Sequence, residues 1–362
     1  MDTSLLRAVL VRGDGGRQGW EDWRRAVGDP VTALGTDTRR IKVLVPLLAD
    51  NLRANAVDVP RPLATYSRAA HLTETMRMNA YLRECGRVLT LLDSHGVGQV
   101  VMKGAALAAT VYASPALRHA HDFDVLLRQP DLARGEQLMR SNGFSASRHV
   151  SEGLHHLAPL TNALGFAVEL HRHPAQVYPR FDATGLWNRS VPARVAGCDT
   201  RVPARADSLL LATLHAATGG GSGDLRWVCD IWLLAEGMSL SDWNLLADTA
   251  FNSSAALPLA LVLGYVSESL GAVVPADILA RITDDAARTD GAGRKALTFG
   301  ARQSMPQDLH GILQMDGSWR DRFEQLAWRL APPPDHVRLA LGYTEPWQVL
   351  SYYPARVFRL SN

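Results

Sequence analysis

Asp122-Phe123-Asp124-Val125-Leu126-Leu127 decides how this chain is read. Polar and apolar residues alternate in its first half, as in a strand with one buried face. Residues two apart on a strand point the same way, so Asp122 and Asp124 project together while Phe123, Val125 and Leu127 turn into the core. Upstream, the apolar run Gln99-Val100-Val101-Met102 predicts a buried strand, followed by a turn at Lys103-Gly104 and a helix over 105–112. Downstream, residues 165–171 alternate again: Phe166, Val168 and Leu170 share one face, Glu169 and His171 the other. If these strands are neighbours, the carboxylates of Asp122, Asp124 and Glu169 converge with an apolar layer behind them.

Clustered carboxylates repel unless a cation neutralises them. Hard oxygen donors suit Mg²⁺ or Mn²⁺, which keep waters and bind substrate phosphates as well. Two such ions about 4 Å apart activate an attacking oxygen and stabilise a leaving pyrophosphate. Chemistry of that kind is mainly positioning and charge neutralisation.

Around this centre the chain reads as helical. Helical periodicity in residues 1–95 ends at His95-Gly96, and a further helix is expected over 130–142 with Gly143 as its stop. Short β pieces continue to about Val202, and helices follow over 207–217, 225–236, 241–249 and 255–270, with more before Pro332. Pro332-Pro333-Pro334 is a stiff break, after which Trp347, Tyr352 and Tyr353 stand among arginines in a tail expected to pack back on the body. The expected division is therefore a helical region 1–95, a mixed core 96–204, a helical domain 205–331 and a tail 332–362.

With 362 residues the chain is long for one domain and short for three. Its 38 basic and 36 acidic residues leave a net charge of +2, which argues against a general nucleic-acid binder. Cys85, Cys198 and Cys229 form no CxxC pair and read as reduced thiols. No apolar run approaches the roughly 20 residues that span a bilayer, and the N-terminus lacks the basic start of a secretory leader. A cytoplasmic protein with no membrane partner is expected.

Several motifs taken together carry a resemblance. Met102-Lys103-Gly104, Tyr112, Leu117-Arg118, Asp122-Phe123-Asp124-Val125-Leu126 and Val168-Glu169-Leu170-His171 resemble the pattern of the uncharacterised bacterial nucleotidyltransferase family, a branch of the polymerase-β-like nucleotidyltransferase superfamily. Leu214-His215 and the stretch from Leu225 to Ile231 resemble that family's helical portion, so the similarity covers about 40–240. The resemblance implies an α+β fold: a small mixed β-sheet core flanked by N-terminal and C-terminal helical segments. It implies metal-dependent transfer of a nucleoside monophosphate from an NTP to an acceptor, a small molecule, peptide or protein, with release of pyrophosphate. Asp122, Asp124 and Glu169 would then be catalytic and hold two Mg²⁺ or Mn²⁺ ions, with Lys103, Gly104, Ala105, Arg118 and His171 at the nucleotide. Gly104-Ala105 stands where the wider superfamily has Gly-Ser, which motivates a second reading as an inactive nucleotide-binding or scaffold protein.

Each residue also has a plain structural reading. Lys103 could simply solvate a strand end, Gly104 could close a strand-to-helix turn, Arg118 could form a structural ion pair, and His171 could be a hydrogen-bonded structural histidine. His119, His121, His149, His155, His156 and His173 make the region dense in imidazole, and His171-x-His173 beside carboxylates offers a zinc hydrolase as a third reading. Gly219-Gly220-Gly221-Ser222-Gly223 lacks the Lys-Ser/Thr ending of a phosphate loop and reads as a connector. Arg226 and Asp230, four apart, form either an intrahelical pair or a wall of the cleft, with Asp230 a remote candidate for a general base.

Overall fold

The computed structural model describes residues 2–36, 41–146, 155–175, 181–218 and 225–288. His149, the glycine run 219–223 and the Pro-initiated tail 332–362 lie outside them. Helices α1 (Asp2–Leu10), α2 (Asp14–Val27), α3 (Pro30–Gly35) and α4 (Val45–Ala54) precede α5 (Arg61–Ser94), which is 34 residues long. Pro62 in the first turn starts α5 without losing a needed N–H, and Gly96 at φ 67° turns the chain out after His95. Its buried positions Met78, Tyr81, Cys85, Val88, Leu89 and Leu92 recur at three and four, which lays one stripe against the sheet.

That sheet is mixed and five-stranded. Strands β1 (Gln99–Val101), β2 (Asp122–Leu127), β3 (Ser145–Ala146), β4 (Leu160–Thr161) and β5 (Ala167–His171) lie in the order β1-β2-β5-β4-β3. Only β2 and β5 run parallel; the other pairs are antiparallel. Between β1 and β2 runs α6 (Lys103–Thr110), which begins two residues before the expected start, and between β2 and β3 runs α7 (Leu132–Ser141), whose end is followed by Gly143 at φ 86°. Helix α8 (Ala183–Arg189) leads into a separate hairpin of β6 (Val191–Val195) and β7 (Cys198–Val202). These two strands are the short β pieces expected up to Val202.

The remaining helices among the described residues are α9 (Arg205–Thr218), α10 (Arg226–Glu236), α11 (Leu240–Asn252), α12 (Ala256–Leu270) and α13 (Ala276–Ala287), the first four within a few residues of the expected segments. Ser239 and Asp242 form a capping box that pins the start of α11. Two apolar clusters result. One lies under the sheet, where Phe123, Val125, Val168 and Leu170 meet Leu89 and Leu92 of α5. The other joins the N-terminal helices to α9, α10 and α12: Leu5, Trp20 and Trp23 share a core with Leu209, Ile231 and Leu263. Arg7 Nε donates to the Ser269 carbonyl at 2.7 Å across that junction. Among the described residues no helix is long and apolar enough to cross a membrane.

Candidate active site

Strands β2 and β5 are neighbours, and their parallel register sets Asp122 across from Ala167, Asp124 across from Glu169 and Leu126 across from His171. Pleating puts Asp122, Asp124, Glu169 and His171 on one face, with buried Phe123, Val168 and Leu170 on the other. One ligand atom from each of Asp124, Glu169 and His171 lies within 4.8 Å of the others. Asp122 stands one pleat earlier, at the open edge of the group, with its side chain 37% exposed. The start of β2 is tied to α5 by Tyr81, whose hydroxyl donates to the Asp122 carbonyl at 2.7 Å.

Asp124 is 1% exposed and its Oδ1 accepts two hydrogen bonds, from Lys103 Nζ at 2.5 Å and His171 Nε2 at 2.8 Å. Burial alone would raise its pKa, but the Lys103 ammonium and the His171 imidazole together outweigh burial and hold the carboxyl far below the usual range. Asp122 moves the other way: burial pushes it up, and the charge on Asp124 adds to the push. The two carboxylates of the Asp-x-Asp thus differ in proton affinity because only one of them has the lysine on it. Burial disfavours charge on Lys103 too, yet the attraction of Asp124 prevails and its pKa lies above the ordinary value. Lys103 adopts φ 51°, a left-handed conformation uncommon for a side chain of its size, and this turn brings its ammonium back to β2.

Glu169 Oε2 is 3.4 Å from His171 Nε2 and 3.9 Å from His156 Nε2. Burial raises the Glu169 pKa, but His171, His156 and Lys103 together more than offset it and leave it below the usual range. His155, His156 and His171 pack ring to ring with centroids 4.3 to 5.3 Å apart. Burial keeps His155 and His156 below the usual imidazole range. The Nδ1 atoms of His155 and His171 are buried with no hydrogen-bond partner.

A cleft of about 370 Å³ opens between this sheet face and the C-terminal helices. Asp122, Asp124, Lys103 and Gly104 line one side; Leu211 and Ala212 of α9 and Arg226, Trp227 and Asp230 of α10 line the other. Glu169 and His171 are not in its lining and sit behind Asp124. The cleft meets the first turn of α6, whose N-cap Met102 makes no side-chain hydrogen bond, so its leading N–H groups are not capped by a side chain. Gly104 is required there: a Cβ at this position would come within 2.9 Å of the Ala120 Cβ. On the far wall Asp230 accepts from Tyr112 Oη at 2.7 Å and, in a fork, from Arg118 Nε and Nη2, each at 2.7 Å.

A family model described as "Uncharacterised nucleotidyltransferase" matches residues 38–271. The chain belongs to that nucleotidyltransferase family. No curated protein matches it. Among solved structures the chain is similar to an antigenic nucleotidyltransferase-like protein from Paracoccidioides brasiliensis, at 18% identity and a TM-score of 0.35, over 55% of this chain and 96% of that one. The nucleotidyltransferase match extends beyond the 40–240 read from motifs to the end of α12, so it takes in both walls of the cleft.

The residues singled out by sequence divide into two sets. Lys103, Gly104, Asp122, Asp124, Glu169 and His171 meet at the sheet face, and Ala105 sits buried in the first turn of α6. Arg118 lines the cleft but its guanidinium is engaged by Asp230, the structural ion pair that its spacing left open. Asp230 is correspondingly not an intrahelical partner of Arg226 alone; it takes Tyr112 and Arg118, while Arg226 Nη1 donates to the His119 carbonyl at 3.0 Å. His173 does not join His171: its ring nitrogens meet the Ala175 and Phe181 carbonyls at 2.7 and 2.8 Å. Two residues went unremarked as site members, Trp227 on the cleft wall and His156 against Glu169. Nothing in the local sequence around His156 separates it from the other histidines.

Proposed function

We propose that this chain transfers a nucleoside monophosphate from an NTP to an acceptor hydroxyl or phosphate, with pyrophosphate as the leaving group. The observation that carries this reading is an imbalance of charge: on one sheet face beside a cleft, Asp122, Asp124 and Glu169 face a single ammonium, that of Lys103. The donor set fits a divalent cation, since Asp124 accepts both of its hydrogen bonds on Oδ1 and is left with its second oxygen. Asp122, Asp124 and Glu169 would hold Mg²⁺ or Mn²⁺, which supplies charge neutralisation for the phosphates and the departing pyrophosphate.

The chain's own residues supply the rest. The uncapped first turn of α6, at Gly104 and Ala105, offers backbone N–H groups to the triphosphate. Lys103 lies between that turn and Asp124, where its ammonium can serve phosphate as well. His171 positions Asp124 through Nε2. Arg118 lines the cleft with its guanidinium held by Asp230 and the His119 carbonyl, and the α9–α10 wall shapes the acceptor pocket. A non-catalytic nucleotide binder is the second reading, favoured by Ala105, which brings no hydroxyl to the first turn of α6.

The test is incubation with α-labelled ATP, CTP, GTP and UTP, Mg²⁺ or Mn²⁺ and candidate acceptors, following labelled product and pyrophosphate. Label transfer that disappears in Asp122→Asn/Asp124→Asn is the expected result. Metal-dependent NTP binding with no pyrophosphate under any acceptor supports the non-catalytic reading. No nucleotide binding in the presence of metal, with the double substitution changing nothing, overturns both.

A further inference from the structure

His156 belongs to none of the motifs above, yet its geometry is that of a ligand. It is 9% exposed and paired by its backbone to His171 of β5 in an isolated antiparallel bridge, with Leu157 N–H donating to the Leu170 carbonyl at 2.9 Å. Its Nδ1 lies 2.6 Å from the Leu157 carbonyl. A carbonyl only accepts, so Nδ1 carries the proton and, in the neutral ring, Nε2 is a bare lone pair. Nε2 lies 3.9 Å from Glu169 Oε2. A shared proton would draw such a pair to about 2.8 Å, so none is shared.

Two acceptors facing each other in a buried spot repel unless a cation joins them. Metal–ligand bonds of about 2.1 Å let two donors of one ion stand up to roughly 4.2 Å apart, which accommodates the observed separation. An Nδ1–H held by a backbone carbonyl is also the arrangement that fixes the tautomer of metal-binding histidines and aims Nε2 at the ion. His171, although 3.4 Å from the same Glu169 oxygen, is committed through Nε2 to Asp124 at 2.8 Å.

We propose that His156 Nε2 and Glu169 Oε2 together ligate a divalent first-row transition ion. The inference rests on the metal-dependent reading of the site, since Glu169 serves both, and it adds what that reading lacks: a nitrogen ligand. Imidazole suits later first-row ions such as Zn²⁺ and Ni²⁺, whereas Mg²⁺ takes oxygen donors and accepts nitrogen more reluctantly than Mn²⁺. The site therefore prefers a transition ion to magnesium.

The experiment uses the full chain with Mn²⁺ or Mg²⁺ alone. Mn²⁺ binding is followed by electron paramagnetic resonance, ¹⁴N coupling by pulsed measurements on the bound ion, and Mg²⁺ binding by calorimetry. Wild type should show directly coordinated nitrogen. His156→Gln, checked for folding by circular dichroism, should lose that coupling and weaken Mn²⁺ about tenfold or more while leaving Mg²⁺ within about twofold. His171→Gln should keep the coupling, which decides the matter even if the His156 variant does not fold. Absence of nitrogen coupling in wild type, its survival in His156→Gln, its loss in His171→Gln, or a parallel fall in Mg²⁺ affinity would overturn the assignment. Failure of nucleotidyl transfer with His156-dependent Mn²⁺ binding intact would instead sink the transferase reading and leave the metal site standing.

Discussion

Two buried aspartates face each other across the cleft, and they are built differently. Asp230, 3% exposed, has both oxygens engaged: Arg118 forks onto them and Tyr112 adds a hydroxyl, one cation to one anion. Asp124, 1% exposed, receives both of its donors on Oδ1, and its single lysine must also answer Asp122 and Glu169. Burial is the same in the two cases; acceptor capacity left over is not. A carboxylate whose lone pairs are filled ties helices together, whereas one with spare oxygens among like charges is prepared for a cation. The Asp230 triad is thus a tie between the β1–β2 connection and α10, and the Asp124 cluster is the chemical group of the proposed function.

This contrast can be broken by substitution. Asp124→Asn should leave the fold intact and lower nucleotidyl transfer about a thousandfold, roughly 4 kcal/mol of barrier, in steady-state assays. Asp230→Asn should act on stability, by about 3 kcal/mol in urea unfolding, because Arg118 loses its charge partner in a site where its side chain is 12% exposed. If Asp230→Asn abolished transfer with stability unchanged, the two aspartates would have exchanged roles and the contrast would be wrong. Gly104→Ala should cost about 1–3 kcal/mol, since the new Cβ meets Ala120 and overpacking outweighs the gain in helix propensity. Tyr112→Phe, which removes one donor from an already forked aspartate, should cost only about 1 kcal/mol.

A smaller effect tests the electrostatics behind the first turn of the site. Glu74 of α5 is held by Arg77 and by His119, and although burial opposes them its pKa falls to about 2 from 4.5. A depressed carboxylate contributes stability above its unfolded pKa and loses it as pH falls through the folded one. The stability advantage of wild type over Glu74→Gln should therefore be full near pH 7 and shrink between pH 4.5 and 2, measurable by urea titration at each pH. An advantage that grew on acidification would contradict the assignment.

Much of the fold was legible because alternation and helical period are local. The alternation of Asp122 to Leu127 and of Phe166 to His171 gave the shared face within each strand, and β2 and β5 meet the condition that the strands be neighbours. The register that sets Asp124 against Glu169 was not legible, because tertiary packing chooses it. Nor were β3 and β4, whose two residues each carry no period. Arg118 and Asp230 lie 112 residues apart, so local spacing offered Asp230 only Arg226, four residues away. Lys103 read as a phosphate ligand or a strand end; its left-handed backbone and its bond to Asp124 are consequences of the turn that only the folded chain displays. The packing of Trp20 and Trp23 with helices more than 180 residues later likewise leaves no trace in either segment alone.

Equilibrium nucleotide binding by wild type and by Asp122→Asn/Asp124→Asn, with and without a divalent ion, tests the central claim most directly. The account predicts that an NTP binds wild type only when Mg²⁺ or Mn²⁺ is present and that the double substitution weakens this binding at least about a hundredfold without unfolding the protein. Binding that ignores the ion, or that is indifferent to the loss of both aspartate charges, would contradict it.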